Sequence, residues 1–482
     1  MEVAAPADPL YQRIAQHYRG AIRSGLMPAG ERMPSVRSLQ RLHQVSLSTA
    51  LQACRRLEDE GLLEARPRSG YFVRVPRRGG MPPASEPDFA RAPDPAQYVG
   101  IHDRVSAFVA RSEGCPAQVD FGATYAAAEA YPGEALKAAA IRALRRQPDL
   151  LVRPADAAGE LALRTAIARR ALDGGMQLSP DDITITHGCI EALNVALRAV
   201  AQPGDVVAVE SPTYYGLLQV LESLGLRALE IPCSPNTGLS IEALALAFDT
   251  QPGIKAVVTG PDHQNPLGSV MPDADKARLV ALCEQHQVPL IEDDTYGALG
   301  NDDVPLRALK AWDRSGNVIR CVSLRKTIAP GLRLGWVSGG RWHARIRMLK
   351  YAQSRANEAL PQLTMAEFMA SSAYERHLAR LRRQVRQQRE RIAEGIAAWF
   401  PAGTRLSLPP GGMLLWVELP PGADAHALFE AALQQGIRTV PGTLFSNSHR
   451  YDRYVRISCG HLVTRQAEQA LRTLGALAAA QG

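Results

Sequence analysis

Hydrophobic positions in the first 75 residues change their period along the chain. Apolar residues recur at every fourth position between residues 10 and 25, which predicts an amphipathic helix. Two shorter helical patterns follow, and each begins after a serine, Ser35 or Ser46, whose hydroxyl can accept hydrogen bonds from free backbone N–H groups. The segment LLEARPRSGYFVRV then alternates around a proline and a glycine. This alternation predicts a β-hairpin, so residues 8–75 should form a small domain of three helices and a hairpin.

The pattern differs beyond residue 75. Residues 76–100 are rich in proline and poor in large apolar residues, and we expect residues 76–114 to form an extended linker. From residue 115 to 475, apolar runs such as VVAVESP, AVVTGPD, VPLIEDD and VIRCVSL alternate with helical patterns, as buried parallel strands do. The sequence therefore predicts an α/β domain with a mostly parallel sheet flanked by helices, followed by a small C-terminal α+β subdomain.

Composition narrows the classes of protein. No apolar run reaches the ~20 residues of a membrane helix, and the first residues lack the pattern of a secretory signal. The seven cysteines are scattered without a C-x-x-C spacing. We therefore expect a cytoplasmic protein with no membrane segment, no disulfide framework and no metal site.

Charge is concentrated at one end of the chain. The net charge is +7, and residues 1–80 contain thirteen arginines against seven acidic residues, an excess of six. A basic excess confined to a small segment favours binding of nucleic acid, here double-stranded DNA. An arginine-rich surface that is merely solvated is the alternative.

The three helices and the hairpin have the order of a winged helix-turn-helix. In such a domain the early polar residues of the last helix reach base edges in the major groove, while basic residues contact phosphates or the minor groove. On this basis we predict DNA contacts by Arg37, Ser46, Ser48, Thr49, Gln52, Arg68 and Gly70. A domain that only holds subunits together is the alternative.

The N-terminal segment resembles the GntR-type winged helix along its whole length. PSVR, the V-S-x-S-T turn and the R-x-G wing fall in the family's order. The family usually carries an arginine where this chain has Leu47, and many members carry another near Leu51. Because arginine reads guanine through two hydrogen bonds, we expect these leucines to change or soften the sequence preference.

Polar side chains follow the predicted buried strands of the second domain. Of the six lysines, only Lys326 directly follows such a strand and precedes a glycine turn. Desolvation there would favour a neutral, nucleophilic amine. Asp293 ends another strand, where a carboxylate is costly unless it meets a cation such as a protonated pyridine nitrogen. Tyr296 follows three residues later and can share the oxygen of such a ring.

Other residues offer a phosphate site and ring contacts. A strand–glycine–helix turn presents the backbone N–H groups of Gly188, Cys189 and Ile190, although such a turn alone is more often structural. Arg333 can clamp a phosphate with its guanidinium group. Tyr214 suits stacking on a ring and Asn265 can donate to the ring oxygen, although a single tyrosine is more often a packing residue. Together these groups meet the demands of pyridoxal phosphate.

Arg456 lies inside the strand-like run YVRISCG. A lone arginine among apolar residues needs an anion, and the carboxylate of an amino acid would serve. An internal salt bridge explains the same spacing equally well.

Residues 115–475 resemble fold-type I aminotransferases of the aminoadipate and kynurenine kind. The residues that carry the likeness appear in the family's order: Gly188, Tyr214, Asn265 with Pro266, Asp293 with Tyr296, Lys326 and Arg333. The resemblance implies that Lys326 is the Schiff-base residue, that Asp293 and Tyr296 complete the catalytic set, and that Ser323 binds phosphate. It also implies that Arg456 and Asn265 bind the substrate.

Three positions depart from these relatives. Arg325 stands where they have a phosphate-binding serine, and Leu267 replaces a threonine. Arg153 or Pro154 stands where relatives have a tyrosine that reaches the neighbouring subunit's phosphate.

A winged helix ahead of such a domain is the architecture of the MocR regulators in the GntR group. It implies a homodimeric regulator that binds pyridoxal phosphate and senses an amino acid, an amine or the cofactor itself. An active aminotransferase that carries a DNA-binding domain is the alternative.

Overall fold

The computed structural model describes nine stretches of the chain: residues 9–24, 26–28, 30–59, 62–66, 69–73, 81–89, 93–301, 305–461 and 463–481. The chain divides into two compact units, Met1–Gly80 and Met81–Gly482. No helix in these stretches is long and apolar enough to cross a membrane.

The first unit is a winged helix-turn-helix, as predicted. Its elements are α1 Leu10–Arg23, α2 Val36–Leu42, α3 Leu47–Asp59, β1 Leu63–Arg66 and β2 Gly70–Val73. The hydroxyls of Ser35 and Ser46 accept hydrogen bonds from the backbone N–H groups of Ser38 and Thr49, each at 3.1 Å, and so start α2 and α3. One apolar side of each helix faces a common core, which contains Ile14, Tyr18, Leu39, Ala50, Ala53 and Leu57.

The second unit is built on a large sheet and a smaller one. Its strands are β3 Gln97–Tyr98, β4 Val119–Asp120, β5 Thr184–Thr186, β6 Val206–Ser211, β7 Arg227–Ser234, β8 Gly238–Leu239, β9 Ile254–Thr259, β10 Leu290–Asp294, β11 Val318–Ser323, β12 Gly335–Ser338, β13 Arg405–Leu406, β14 Leu414–Glu418, β15 Ile437–Arg438, β16 Val440–Pro441 and β17 Tyr454–Ser458. The large sheet has the order β3-β7-β6-β9-β10-β11-β12-β5, and β8 pairs with β7. From β7 to β11 all neighbours are parallel, whereas β12 is antiparallel to both of its neighbours.

Helices cover both faces of the large sheet. The helices of this unit are α4 His102–Gly114, α5 Gly133–Arg146, α6 Leu161–Ala171, α7 Cys189–Val200, α8 Tyr215–Ser223, α9 Ile241–Thr250, α10 Asp273–Gln285, α11 His343–Ser354, α12 Ala359–Met369, α13 Ser372–Trp399, α14 Ala425–Gln434 and α15 Arg465–Ala479. Val207 and Val209 pack in one cluster with α7 and α8, while Ala208 packs in another with α9 and α10. Burial on both faces explains why the strands read as continuous apolar runs.

A small α+β subdomain ends the chain, as predicted. Its antiparallel sheet has the order β13-β14-β17-β16. Leu415 and Ile457 pack with side chains of α13, α14 and α15, and the cluster includes Ile396, Leu428 and Leu471.

The proline-rich segment was predicted to be an extended linker over residues 76–114. The structure differs from this prediction. From residue 81 it belongs to the second unit, and α4 occupies His102–Gly114. The Ser85 N–H donates to Glu418 at 2.8 Å, the Leu406 N–H donates to the Pro82 carbonyl at 2.9 Å, and β3 joins the edge of the large sheet. Composition did not predict this docking because its hydrogen bonds come from residues distant in the sequence.

Candidate functional site

A cavity of about 270 Å³ lies where the parallel strands of the large sheet end. The segments after β6, β9, β10 and β11 all reach it, because the carboxyl ends of parallel strands meet at one edge of a sheet. The start of α7 and the segment with Thr124 and Tyr125 complete its wall. All ten predicted cofactor-binding residues line this cavity: Gly188, Cys189, Ile190, Tyr214, Asn265, Asp293, Tyr296, Ser323, Lys326 and Arg333.

Lys326 is largely removed from water at the base of the cavity. Its Nζ donates to Thr124 Oγ1 at 2.7 Å and lies 3.6 Å from the centre of the Tyr125 ring. Burial, reinforced by the charges of Arg325 and Arg456, lowers the pKa of Lys326 to about 7. A substantial fraction of the amine is therefore neutral at physiological pH and able to attack a carbonyl carbon.

The lowered pKa of Lys326 predicts how the rate of uptake of an aldehyde cofactor depends on pH. Because only the neutral amine reacts, the rate of uptake by cofactor-free protein should rise with pH and reach half its maximum near pH 7. Stopped-flow absorbance from about pH 6 to pH 9 measures the profile. A rate that still climbs steeply toward the ordinary lysine pKa of about 10.4 would contradict the prediction.

Asp293 is half-buried near the end of β10. Its Oδ1 accepts hydrogen bonds from the Cys189 thiol at 3.0 Å and from the Thr295 hydroxyl at 2.9 Å. Burial raises the pKa of Asp293 despite these donors. A protonated ring nitrogen beside this carboxyl would offset the cost of burying its charge.

A half-buried phenol, a buried phenol and an amide line the same cavity. Burial raises the pKa of both Tyr214 and Tyr296, so their hydroxyls stay protonated and can donate. Asn265 Oδ1 accepts a hydrogen bond from Arg456 Nη1 at 3.2 Å. This bond directs the Asn265 side chain toward Arg456.

We call Gly188–Ile190, Ser323 and Arg333 the phosphate subsite. Gly188 has φ 95°, in the left-handed region, and directly precedes α7. Arg333, at φ 50°, follows a short 3₁₀ turn. A helix N-terminus with a guanidinium group opposite is suited to a dianion.

Gly335 lets two backbones meet beneath the phosphate subsite. A Cβ there would lie 2.6 Å from the Val322 carbonyl oxygen and 2.7 Å from Gly188 Cα. Because backbone must move to relieve this overlap, Gly335→Ala should destabilise the fold by about 1–3 kcal/mol. Chemical denaturation measures this, with Gly133→Ala as the control, since a Cβ at Gly133 meets nothing within 4 Å. Equal stability of the two variants would contradict the prediction.

Arg456 sits inside β17 and is 1% exposed. Besides Asn265, its guanidinium donates to the Gly122 carbonyl at 2.6 Å, and its Nε is buried without a partner. No salt bridge joins Arg456 to a carboxylate among the residues that the structure describes. Among the described residues, Arg456 therefore does not form the internal salt bridge that the sequence left open as an alternative.

Several residues of the cavity were not identified from the sequence. Thr124 and Tyr125 contact the Lys326 and Arg325 side chains from a segment with no helical or strand period. Glu210 accepts hydrogen bonds from Thr259 and from Gln264 at 3.0 Å, and burial raises its pKa to about 7. The only sequence signal for Glu210 was its place near the end of a buried strand.

The predicted DNA-contacting residues fall on the first unit. Ser46 and Ser48 are exposed at the start of α3, Gln52 is exposed one turn further along, and Thr49 is half-buried. Arg37 is exposed on α2, and Gly70 opens β2 with φ 98°. Arg68 lies outside the described residues. The Leu47 side chain is 50% exposed on the same turn of α3.

Comparison with known families matches both units. The model described as bacterial regulatory proteins of the gntR family matches residues 10–73, and the model for aminotransferase class I and II matches residues 125–474. A relative described as the uncharacterized HTH-type transcriptional regulator YjiR, from Escherichia coli K12, is 37% identical over 96% of this chain and 98% of its own length. The chain belongs to the GntR family. Its aminotransferase-like second unit gives it the MocR-type architecture.

Other relatives agree with this assignment. YdcR of E. coli K12, also described as an uncharacterized HTH-type transcriptional regulator, is 36% identical over 97% of this chain and 98% of its own length. Among solved structures, a kynurenine aminotransferase from Pyrococcus horikoshii in complex with PMP matches 78% of this chain and 94% of that protein, with TM-score 0.73 and 25% identity. LysN, the α-aminoadipate aminotransferase of Thermus thermophilus, matches the same shares with TM-score 0.71 and 25% identity.

The aminotransferase relatives of this GntR-family protein use pyridoxal phosphate as their cofactor. Structures of its aminotransferase relatives hold forms of that cofactor. The described residues of this chain fit that cofactor: a lysine with a lowered pKa, a half-buried carboxyl for a ring nitrogen, and an anion subsite line one cavity.

Proposed function

We propose that this GntR-family regulator recognises an amino acid at its pyridoxal phosphate site, and that this recognition changes its affinity for double-stranded DNA. The observation that carries the proposal is the pairing of Lys326 with Arg456. A lysine of lowered pKa lies near a buried arginine whose charge contributes to that shift. A primary amine with an adjacent carboxylate matches these two groups.

The residues of the cavity have separate tasks in this recognition. When bound, pyridoxal phosphate supplies an aldehyde carbon that bonds reversibly to primary amines. Lys326 would hold the cofactor through its amine, and when free this amine could accept or donate a proton. The Asp293 carboxyl would hold the ring nitrogen in its protonated form, and the Tyr296 hydroxyl would donate to the ring oxygen. Arg456 and Asn265 orient the carboxylate of the amino acid.

The described part of the proline-rich segment follows the DNA-binding unit in the sequence and contacts two parts of the second unit. It is attached to the small subdomain through Glu418, to the large sheet through β7, and to α8 through Glu222, which accepts the backbone N–H groups of Ile101 and His102. A ligand that favours one arrangement of these two parts would shift the segment. Such a ligand must bind the two arrangements with different affinity.

We also propose that the protein is a cytoplasmic homodimer. Several apolar side chains of the second unit are exposed: Ile141, Leu151, Val152, Leu161 and Ile190, of which Val152 is 85% exposed and Ile190 lines the cavity. Apolar surface of this kind favours burial against another subunit. Two winged helices would then read paired half-sites on DNA. Sedimentation velocity measures the assembly.

Turnover as an aminotransferase is the second candidate function. The predicted catalytic residues Lys326, Asp293 and Tyr296 line one cavity next to Arg456. With the cofactor bound, these groups could bind an amino acid and move its α-proton. Sustained formation of a 2-oxo acid would support this function, and a single spectral change without product would oppose it.

One titration tests the proposed function directly. The cofactor-loaded protein is exposed to single amino acids and to the amines that lack their carboxylates, while visible absorbance and the anisotropy of labelled promoter DNA are both recorded. We expect one amino acid to change both signals over the same concentration range. A spectral change that leaves DNA affinity constant would contradict the proposed coupling.

The DNA contacts can be tested without knowing the operator. Arg37→Ala should weaken binding to any duplex and lower the slope of log K against log salt by about 0.9, because one phosphate contact is lost. Anisotropy titrations at several salt concentrations give the slope. Arg472→Ala, on α15 of the second unit, is the control and should leave the slope unchanged.

A further inference from the structure

Arg325 reaches across the phosphate subsite. Its Nη2 donates to the Tyr125 hydroxyl at 2.6 Å, and a Cβ on Gly188 would come within 3.3 Å of its Cδ. Its Nε is buried without a hydrogen-bond partner. The side chain lines the same cavity as Ser323 and Arg333.

The two arginines at this subsite are not neutralised by the protein. No salt bridge joins Arg325 or Arg333 to a carboxylate among the residues that the structure describes. Arg333 is exposed, whereas Arg325 is half-buried and its Nε is out of contact with water. A charge partly held out of water without an opposite charge favours an anion beside it. A phosphate group at the N-terminus of α7 is the anion that the surrounding groups suit.

We propose that Arg325 and Tyr125 form a phosphate-binding pair supplied by a single chain. The guanidinium group offers a planar fork that can bind two oxygens of one phosphate. Tyr125 accepts the hydrogen bond from Arg325 through a lone pair of its oxygen, so its O–H group can donate to the same phosphate. Arg333 and the N–H groups that begin α7 complete the set.

This chain has Arg153 or Pro154 at the position where relatives have a phosphate-binding tyrosine. Arg153 donates to Glu160 at 2.9 Å and to Gln147 at 3.0 Å within its own chain. These hydrogen bonds hold the Arg153 guanidinium group beside the Glu160 carboxylate of the same chain. Tyr125 therefore provides a phenol from within the chain, next to the subsite, where relatives use one from the neighbouring subunit.

A competing role for Arg325 is to act on Lys326 alone. The Arg325 charge also helps to lower the pKa of that lysine. The two roles differ in their dependence on phosphate. A residue that binds phosphate affects the affinity for pyridoxal phosphate but not for pyridoxal, which lacks the phosphate, whereas a residue that acts on the lysine affects both.

The test compares the two ligands on full-length variants. Arg325→Ser restores the serine of the relatives, and visible absorbance of the lysine-bound ligand gives each dissociation constant. We expect Arg325→Ser to weaken pyridoxal phosphate binding by about 10-fold to 100-fold, as loss of charged hydrogen bonds does, and to change pyridoxal binding less than about 3-fold. Tyr125→Phe should weaken only pyridoxal phosphate, by about 3-fold to 10-fold.

Controls separate this effect from unfolding. Arg325→Lys keeps the charge but not the fork and should fall between wild type and Arg325→Ser. Arg345→Ser, an exposed arginine of α11, should change neither constant. Equal weakening of pyridoxal and pyridoxal phosphate by Arg325→Ser would overturn the proposal, and so would an unchanged ratio of the two constants.

This inference rests on cofactor binding and not on the sensing of amino acids. A protein whose DNA affinity ignores every amino acid would contradict the proposed function. In that case the ratio of the two dissociation constants would still decide whether Arg325 and Tyr125 bind phosphate.

Discussion

Replacing Lys326 by alanine should abolish the visible absorption of the lysine-bound cofactor and the response of DNA affinity to amino acids. Among the residues that the structure describes, Lys326 is the only lysine that lines the cavity, so we expect no other amine there to hold the aldehyde carbon. DNA binding without an amino acid should persist, because the first unit has its own apolar core. Absorbance spectra and anisotropy titrations of the same preparation measure both effects.

The control for this variant is Lys255→Ala. Lys255 is exposed on β9, so its removal should leave the spectrum and the response unchanged. If Lys326→Ala kept an amino-acid response in DNA binding, the proposed role of the lysine would be wrong. Loss of DNA binding in the absence of any amino acid would show instead that the variant disturbs the first unit.

Replacing Arg456 by glutamine should weaken the binding of an amino acid by about 30-fold or more, since loss of one partner of a buried charge pair costs about 2–5 kcal/mol. The corresponding amine without a carboxylate should bind the variant and the wild type about equally. Spectral titration of the cofactor-loaded protein with the two ligands measures both constants. This difference between ligands identifies the carboxylate as the group that Arg456 binds.

The buried position of Arg456 requires a check on the fold. Its bonds to Gly122 and Asn265 are lost or changed in the variant, so thermal unfolding must accompany the titrations. Arg456→Lys keeps the charge without the fork and should lie between the two proteins. Equal weakening of the amino acid and the amine would contradict a carboxylate-binding role.

The sequence predicted the kinds and the order of the elements well, for reasons that are local. The serines that begin α2 and α3 act through N–H groups three residues away, and the apolar runs of β6 and β9 follow from burial on both sheet faces. The residues predicted to contact the cofactor also line one cavity. These residues come together at the ends of the strands, and the ends of the apolar runs can be located in the sequence.

The proline-rich segment has a structure that local composition and hydrophobic period did not predict. Composition predicted an extended linker to residue 114, but Ile101 and Val105 belong to the core beside α7 and α8. A helix as short as α4 carries a weak period, and its stability depends on that packing. The hydrogen bond from Ser85 to Glu418 joins residues 333 positions apart, a contact that no local pattern records.

By itself, then, the sequence determined the winged helix and the parallel strands and indicated Lys326 as the candidate lysine, because period, capping and burial act between near neighbours. Only the tertiary structure decided what surrounds that lysine. Thr124 and Tyr125 meet Lys326 and Arg325 across about two hundred residues. The tertiary structure also decided that Arg456 has no carboxylate partner among the described residues. Such facts depend on which distant segments pack together, and packing is a property of the whole fold.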